Sequence, residues 1–218
     1  MIVVVGLPAY ADSPDGEKCA GGLAVEVASA AKRRGATVEL VGKVGNDGAG
    51  DSVVVALGRL GIGHAALTRD PLLPTPVLTA ALQADDGVEI EDVDRVVRIL
   101  PEDPAARPSL DTGDVDLALR FLPQAGVIVL ADALSDGSIT AAAEGASFAA
   151  ARLIVLVQVG ATLPTVPADA TVLEVPGDDD GSFGRLVGVF ASALDAGIDP
   201  KAAFSEAVSG AGWEPSEN

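Results

Sequence analysis

Short apolar strands alternate with amphipathic helices along most of the chain, and this alternation limits the fold more than any other feature. Residues 2–6 form a continuous apolar run, which is typical of a strand buried on both faces. Helices are predicted over 21–34 and 52–60, and the strand-then-helix order returns over 127–151. Such spacing predicts βαβ units, a mainly parallel sheet and helices on both faces. We therefore expect one α/β domain over residues 1–218.

Two segments depart from this alternation. Residues 7–20 contain two prolines and mixed charges, which predicts a loop. Strands are predicted over 76–84 and 88–99, and Asp85-Asp86-Gly87 between them is typical of a hairpin turn. We expect the hairpin, over about 76–99, to form a small flap or an antiparallel edge.

The composition argues against several classes of function. The 218 residues carry a net charge of −18, which opposes binding to nucleic acid and to anionic membranes. No apolar run reaches the length of a membrane span, and Met1 leads directly into a strand, so we expect no signal peptide. One cysteine and one histidine leave no basis for a disulfide framework, a zinc site or a Cys-His nucleophile pair. These features predict an acidic cytoplasmic protein with no membrane or nucleic-acid partner.

The turn over residues 175–184 is the strongest candidate for a chemical site, because it leads directly into an apolar helix over 185–194. The aspartates at 178–180 can cap that helix or bind a divalent cation weakly. Gly181 and Gly184 permit a tight turn, and N–H groups at a helix start can hold an anion. Three aspartates repel phosphate unless a cation lies between. The turn is therefore a helix cap, a weak cation site or an anion site.

Glycines and acids recur at fixed spacing in the N-terminal part of the chain. The set is Gly21, Gly22, Glu26, Gly35, Gly42, Gly45, Asp47 and Gly50. This pattern resembles the first signature of the ribokinase-like (PfkB) carbohydrate kinases. The turn at 178–184 and its apolar helix resemble the family's second motif, in which a glycine-rich turn holds the transferred phosphoryl group and a final aspartate is the base. Asp178, Gly181, Ser182 and Gly184 fall within that turn.

The resemblance implies a ribokinase-like three-layer α/β/α sandwich and membership of a sugar or nucleoside phosphotransferase family. It implies ATP and Mg²⁺ as cofactors and a small molecule, a sugar or a nucleoside, as the substrate. It also implies substrate-binding roles for Gly21, Gly22, Glu26 and Asp47. For Asp47 the alternative is a turn-forming role, and for Glu26 it is an exposed position on a helix. Oligomer formation is compatible with the same scaffold.

Several residues depart from the family pattern. Gly184 stands where the family has its base, Phe183 adds bulk where it has a glycine, and Glu26 replaces the asparagine that contacts the sugar. The Asn-x-x-Glu motif and a separate nucleotide-binding turn are both missing between 157 and 171, and the segment before Gly21 is short for a substrate lid. We therefore predict a truncated lid and central region, with little or no kinase activity. The alternative is a non-catalytic small-molecule-binding or oligomer-forming protein on this scaffold.

Overall fold

The computed structural model describes residues 1–12, 18–82, 96–99, 103–176 and 181–211. Within these ranges the strands are β1 Ile2–Val5, β2 Ala9–Asp12, β3 Lys18–Gly21, β4 Val38–Gly45, β5 Leu67–Asp70, β6 Val77–Leu82, β7 Val96–Ile99, β8 Val127–Leu130, β9 Arg152–Gln158 and β10 Thr171–Val175. The helices are α1 Leu23–Arg33, α2 Gly48–Leu60, α3 Thr112–Phe121, α4 Asp136–Ala149, α5 Ser182–Asp195 and α6 Pro200–Ala211, with a 3-10 turn at Pro104–Ala106.

The main sheet has six parallel strands in the order β10-β9-β8-β1-β4-β5. Its central strand β1 is buried on both sides: Ile2 and Val4 enter the core on one face, and Val3 and Val5 enter the core on the other. Side chains of a strand alternate between faces, so a strand covered on both faces must be apolar at every position. This explains the unbroken apolar run near the N terminus.

Helices cover both faces of this sheet. Side chains of α1, α2, α5 and α6 belong to the core on one face, and side chains of α3 and α4 belong to the core on the other. The architecture is therefore a three-layer α/β/α sandwich with a parallel sheet, as the sequence predicts.

A second, four-stranded sheet has the order β3-β2-β6-β7. Strands β2 and β3 pair antiparallel, β6 pairs parallel to β2, and β7 pairs antiparallel to β6. The prediction of a loop over 7–20 is therefore wrong in the part that the structure describes. The short strand β2 pairs with β3 on one side and with β6, some 65 residues later, on the other, and local patterns do not reveal the second pairing.

The predicted hairpin over 76–99 is present as the pair β6 and β7, in which Leu82 lies opposite Val96. Its predicted turn at 85–87 lies outside the described residues. The prediction of a helix start at residue 52 is also wrong. Helix α2 begins at Gly48, because Asp47 caps it.

The connection from β9 to β10 is short and irregular. Residues 159–170, all described, form neither helix nor strand, so an irregular segment alone connects β9 to β10. This agrees with the predicted truncation of the central region. In the part of the chain that the structure describes, no helix combines the length and the hydropathy that a membrane span requires.

Candidate functional site

The strand order of the main sheet reverses beside β1. From β1 the chain proceeds outward to β4 and β5, and it then returns to β8 on the opposite side of β1. In open parallel sheets the crevice at the carboxyl ends of the strands flanking such a reversal is the usual ligand position. Here that crevice lies between the end of β1 and the end of β8.

Asp132, just beyond β8, bridges this crevice. Its Oδ2 accepts a hydrogen bond of 2.5 Å from the backbone N–H of Leu7, just beyond β1. Protein atoms enclose most of the side chain, although one side borders an open cleft. Burial raises the pKa of Asp132 to about 6, against the opposing effects of the Leu7 N–H group and the charge of Arg107. No local sequence pattern singles out this residue.

The cleft beside Asp132 has a volume of about 410 Å³, which is within the range of small-molecule sites. Polar groups of Asp136, Gln158, Thr162 and Thr165 line it together with Asp132. It opens at the ends of β8 and β9, where the irregular segment 159–170 crosses to β10. The arrangement provides hydrogen-bonding groups for a small polar ligand beside a carboxyl whose pKa burial raises to about 6.

A second carboxylate, Glu26 of α1, lies against the first turn of α5. A Cβ at Gly184 would stand 2.6 Å from Glu26 Cβ and 2.9 Å from Glu26 Oε2. A Cβ at Gly181, the residue that precedes α5, would stand 3.4 to 3.5 Å from the Glu26 carboxylate. Real Cβ atoms are essentially never found closer than 3.0 Å to such neighbours, and both distances at Gly184 are shorter than that. Glu26 therefore occupies the space that a side chain at position 184 would need.

The packing of α1 against α5 brings these residues together. Gly188 lies one turn after Gly184 and faces α1, where an added Cβ would stand 2.5 Å from the Val27 carbonyl oxygen and 2.6 Å from Ala30 Cβ. Two helices approach this closely only when small residues lie at their crossing. Gly22 precedes α1 with a φ of 94°, and Gly181 precedes α5 with a φ of 87°, so both helices begin after a glycine with positive φ.

Asp47 lies at the start of a different helix. Its carboxylate accepts bonds from Gly50 N at 2.8 Å, Thr75 N at 2.9 Å and Thr75 Oγ1 at 2.7 Å. Burial opposes ionisation of Asp47, but these bonds and the charge of Arg69 outweigh it and hold its pKa below the usual value. Asp47 therefore caps α2 and ties the 70–76 loop to it, and a substrate-binding role for Asp47 stays a prediction.

The remaining predicted residues lie near Glu26, in the core of the domain or outside the described residues. Gly21 ends β3 beside Gly22, and Ser182 is the first residue of α5, so both lie near the Glu26 contact. Phe183 is 4% exposed and its side chain belongs to the core. An apolar side chain in the first turn of α5 follows the buried face of that helix. Asp178 and its neighbours 179 and 180 lie outside the described residues.

The single histidine and cysteine have local partners. His64 Nδ1 lies 3.0 Å from the Ile62 carbonyl oxygen, and the Cys19 thiol donates to the Ala11 carbonyl oxygen at 3.0 Å across the second sheet. Among the described residues, no cluster of three or more His, Cys, Asp or Glu side chains has a geometry that could hold a metal ion.

Solved structures share this fold. A ribokinase from Arabidopsis thaliana, solved with ribose and ATP, superposes with a TM-score of 0.66 at 15% identity over 96% of this chain and 90% of that chain. The PfkB protein from Polaromonas sp. JS666 gives a TM-score of 0.67 at 13% identity over 98% of this chain and 96% of that chain. An uncharacterized sugar kinase from Pyrococcus horikoshii in complex with ATP gives 0.55 at 15% identity over 89% of this chain and 60% of that chain.

The fold is therefore ribokinase-like, and the chain is truncated relative to those structures. The sequence matches no protein-family model and no curated protein. At identities below one in six residues, the structural likeness establishes the architecture, while the chemistry must be argued from the residues of this chain.

Proposed function

We propose that this protein is a ribokinase-like (PfkB) carbohydrate kinase homologue, of the sugar or nucleoside phosphotransferase family, with little or no kinase activity. The observation that carries the proposal is the contact between Glu26 and Gly184. In the resemblance that the sequence carries, position 184 is the place of the base that accepts the hydroxyl proton. A glycine has no group for that role, and Glu26 leaves no room for a larger residue there.

The negative charge of Glu26 beside Gly181 and Gly184 also disfavours binding of the phosphoryl group that a kinase transfers. A helix N-terminus favours an anion, and phosphoryl transfer needs donors aimed at the oxygens of the transferred phosphate. At α5 the Glu26 carboxylate already lies beside Gly181 and Gly184, so a phosphate approaching the same turn meets a negative charge of the chain itself. The described residues therefore do not fit the phosphates of ATP with Mg²⁺ at this position, and we derive no catalytic step through them.

The crevice at Asp132 favours the alternative function, a non-catalytic small-molecule binder on the same scaffold. Asp132 Oδ2 accepts a hydrogen bond from Leu7 N. Asp132 also borders a cleft of about 410 Å³ that is lined by further polar side chains. Carboxyl, amide and hydroxyl groups in one cleft suit a polyhydroxylated ligand, since each can accept from or donate to a hydroxyl. Binding without turnover is the behaviour that these two observations predict together.

The experiment is a titration calorimetry and turnover series on the full chain. We expect no ADP release above the enzyme-free rate with ATP, Mg²⁺ and a panel of sugars and nucleosides, and no heat of ATP binding. Turnover with any member of the panel would refute the loss of kinase activity. Binding of a sugar or nucleoside that weakens in Asp132→Asn, but not in the exposed control Asp116→Asn, would establish the binder. Absence of any binding from the panel would exclude it.

A further inference from the structure

The cleft beside Asp132 carries charge of one sign. Its lining contains two carboxylates, Asp132 and Asp136 in the first turn of α4, and none of the described residues that line it is a lysine, an arginine or a histidine. Asp136 also supplies the negative charge that a helix start favours, so the start of α4 is not left for an anionic ligand. A concave surface lined by one sign of charge concentrates ions of the opposite sign. The lining of the cleft therefore favours a cationic ligand.

The two carboxylate oxygens of Asp132 differ in their partners. Oδ2 accepts the hydrogen bond from Leu7 N, whereas Oδ1 accepts none from the residues that the structure describes. Oδ1 also retains accessible surface: over the described ranges, Glu39 Oε2 is the only fully enclosed side-chain nitrogen or oxygen without a hydrogen-bond partner. A carboxylate can accept several hydrogen bonds at once. Asp132 can therefore keep its bond to Leu7 while Oδ1 accepts a donor of a ligand.

The charge of Arg107 offsets these carboxylates only in part. Burial raises the pKa of Asp132 to about 6, and the charge of Arg107 opposes that effect, so the carboxyl is mostly ionised at neutral pH. In the part of the chain that the structure describes, Arg107 forms no ion pair, and its side chain does not line the cleft. One positive charge outside the cleft cannot balance two carboxylates inside it. A ligand with one positive charge would complete the balance, whereas a phosphate would add to the excess of negative charge.

The neutral part of the lining suits a hydroxylated carbon skeleton. Gln158 at the end of β9 and Thr162 and Thr165 of the segment 159–170 line the cleft, and their side chains form no hydrogen bond to other described residues. Amide and hydroxyl groups both donate to and accept from a hydroxyl group. Leu134 and Leu163 line the cleft as well, and they provide apolar surface for the carbon atoms of such a ligand.

We propose that the cleft beside Asp132 binds a hydroxylated primary amine, an amino sugar or an aminopolyol. The ammonium group of the ligand donates to Asp132 Oδ1, and the charge of Asp136 adds to the attraction. The hydroxyl groups of the ligand pair with the neutral polar side chains of the cleft. This inference rests on the small-molecule-binding function proposed above, and it names the chemical class of the ligand.

The test compares three probes with the same six-carbon polyol chain, D-glucamine, D-sorbitol and D-gluconate, by titration calorimetry on the full chain at pH 7.5. They carry an ammonium group, a hydroxyl group and a carboxylate at the same carbon. A charge-assisted hydrogen bond is stronger than a neutral one, so we expect the amine to bind about tenfold more tightly than sorbitol, and gluconate to bind most weakly.

Three results would overturn the inference: equal affinities for the amine and sorbitol, tighter binding of gluconate, or no binding of any probe. The function proposed above is judged separately by the panel of sugars and nucleosides. Binding of a panel member without a preference for the amine would refute this inference alone, whereas no binding in either series would refute both.

Variants of single aspartates separate the cleft from the overall negative charge of the protein. Asp132→Asn keeps an acceptor for Leu7 N, and it should weaken binding of the amine about tenfold more than binding of sorbitol. Asp136→Asn should reduce the preference by about two- to threefold, because Asp136 is exposed to solvent. Asp116→Asn is the matched control, since it removes the same charge from α3, outside the cleft, and should leave the preference unchanged.

A preference for the amine that survives in Asp132→Asn would overturn the inference. An equal loss in Asp116→Asn would also overturn it, because the attraction would then come from the charge of the whole protein. A thermal unfolding scan of every variant verifies that it is folded.

Discussion

Helices α2 and α5 both begin near the carboxyl edge of the main sheet, and an acid lies against the start of each. At α2 the acid is the N-cap residue itself, Asp47, which is bonded to Gly50 in the first turn of the helix. At α5 the acid is Glu26, which belongs to α1 and lies more than 150 residues earlier in the chain. The first arrangement is a local cap, whereas the second exists only because two helices pack together.

The difference shows how one type of side chain acquires two roles. Asp47 is fixed by three bonds to the chain, so its carboxylate stabilises the fold. Glu26 takes up space and places charge at a position where the resemblance to kinases implies a base and a phosphate. We therefore expect loss of the local cap to reduce stability, and we expect the pair of Glu26 and Gly184 to be exchangeable for another pair of residues.

The largest expected effect comes from placing an aspartate at position 184. Gly184→Asp alone should lower the free energy of unfolding by more than about 3 kcal/mol, since it adds both an overlap and a like charge beside Glu26. The double variant Gly184→Asp with Glu26→Asn should recover most of that loss, because it moves the carboxylate from α1 to α5 and vacates the space. Urea unfolding of the two single variants and the double variant measures the coupling.

Gly48→Asp provides the control for this cycle. Gly48 is also in the first turn of a helix, but an added Cβ meets nothing within 4 Å, so the change should be nearly neutral. If the two changes at 26 and 184 prove additive, the contact between α1 and α5 does not decide which residue position 184 can hold.

The local cap gives the next largest effect. Asp47→Ala should lower the free energy of unfolding at neutral pH by about 2 to 3 kcal/mol, since it removes the cap of α2 and leaves the donors of Thr75 without an acceptor. The pKa of Asp47 is lower in the folded protein than in the unfolded chain. The stabilisation that its carboxylate gives to the folded protein is therefore complete above the unfolded pKa of about 4, and it is lost as the pH falls through the folded pKa.

The difference between Asp47→Ala and the wild type should accordingly shrink in urea unfolding experiments below about pH 4. Asp51→Ala is the matched control on the same helix. Its side chain is 73% exposed and pairs with Arg69, so its loss should change stability by less than about 1 kcal/mol. A difference at Asp47 that is constant with pH would mean that the ionised carboxylate is not what stabilises this cap.

Much of the fold could be predicted from local patterns. The apolar run over 2–6, the glycine after α1 and the alternation of elements each have a local cause, and they define the parallel sheet. The second sheet could not be predicted, because it joins the local pair β2 and β3 to the distant strand β6. Glu26 was recognised through its spacing from Gly22, but its contact with Gly184 depends on how α1 and α5 cross.

Asp132 escaped the sequence analysis for a related reason. One aspartate after an apolar strand is common, and its significance lies in β8 being the neighbour of β1. Because β8 lies beside β1, Asp132 Oδ2 accepts a hydrogen bond from Leu7 N. No local pattern over 127–132 predicts that pairing of strands. A topology with β8 at the outer edge of the sheet would have left the same residue on the surface.

Asp132 also gives the smallest predicted effect, with a pH dependence opposite to that of Asp47. Its folded-state pKa of about 6 lies above the unfolded value of about 4, so its ionisation opposes folding increasingly as the pH rises through this interval. Asp132→Asn keeps an acceptor for Leu7 N without a charge. The variant should therefore be more stable than the wild type at pH 7.5 by about 1 to 2 kcal/mol. This difference is smaller than complete burial would give, because one side of Asp132 borders the open cleft. At about pH 4 the variant and the wild type should be equally stable.

Urea unfolding at the two pH values measures this, with Asp116→Asn as an exposed control expected to change little at either. A variant that is less stable than the wild type at pH 7.5 would show that the charge of Asp132 is compensated within the protein, and the contrast between a carboxylate fixed by three bonds and one held by a single bond would fail.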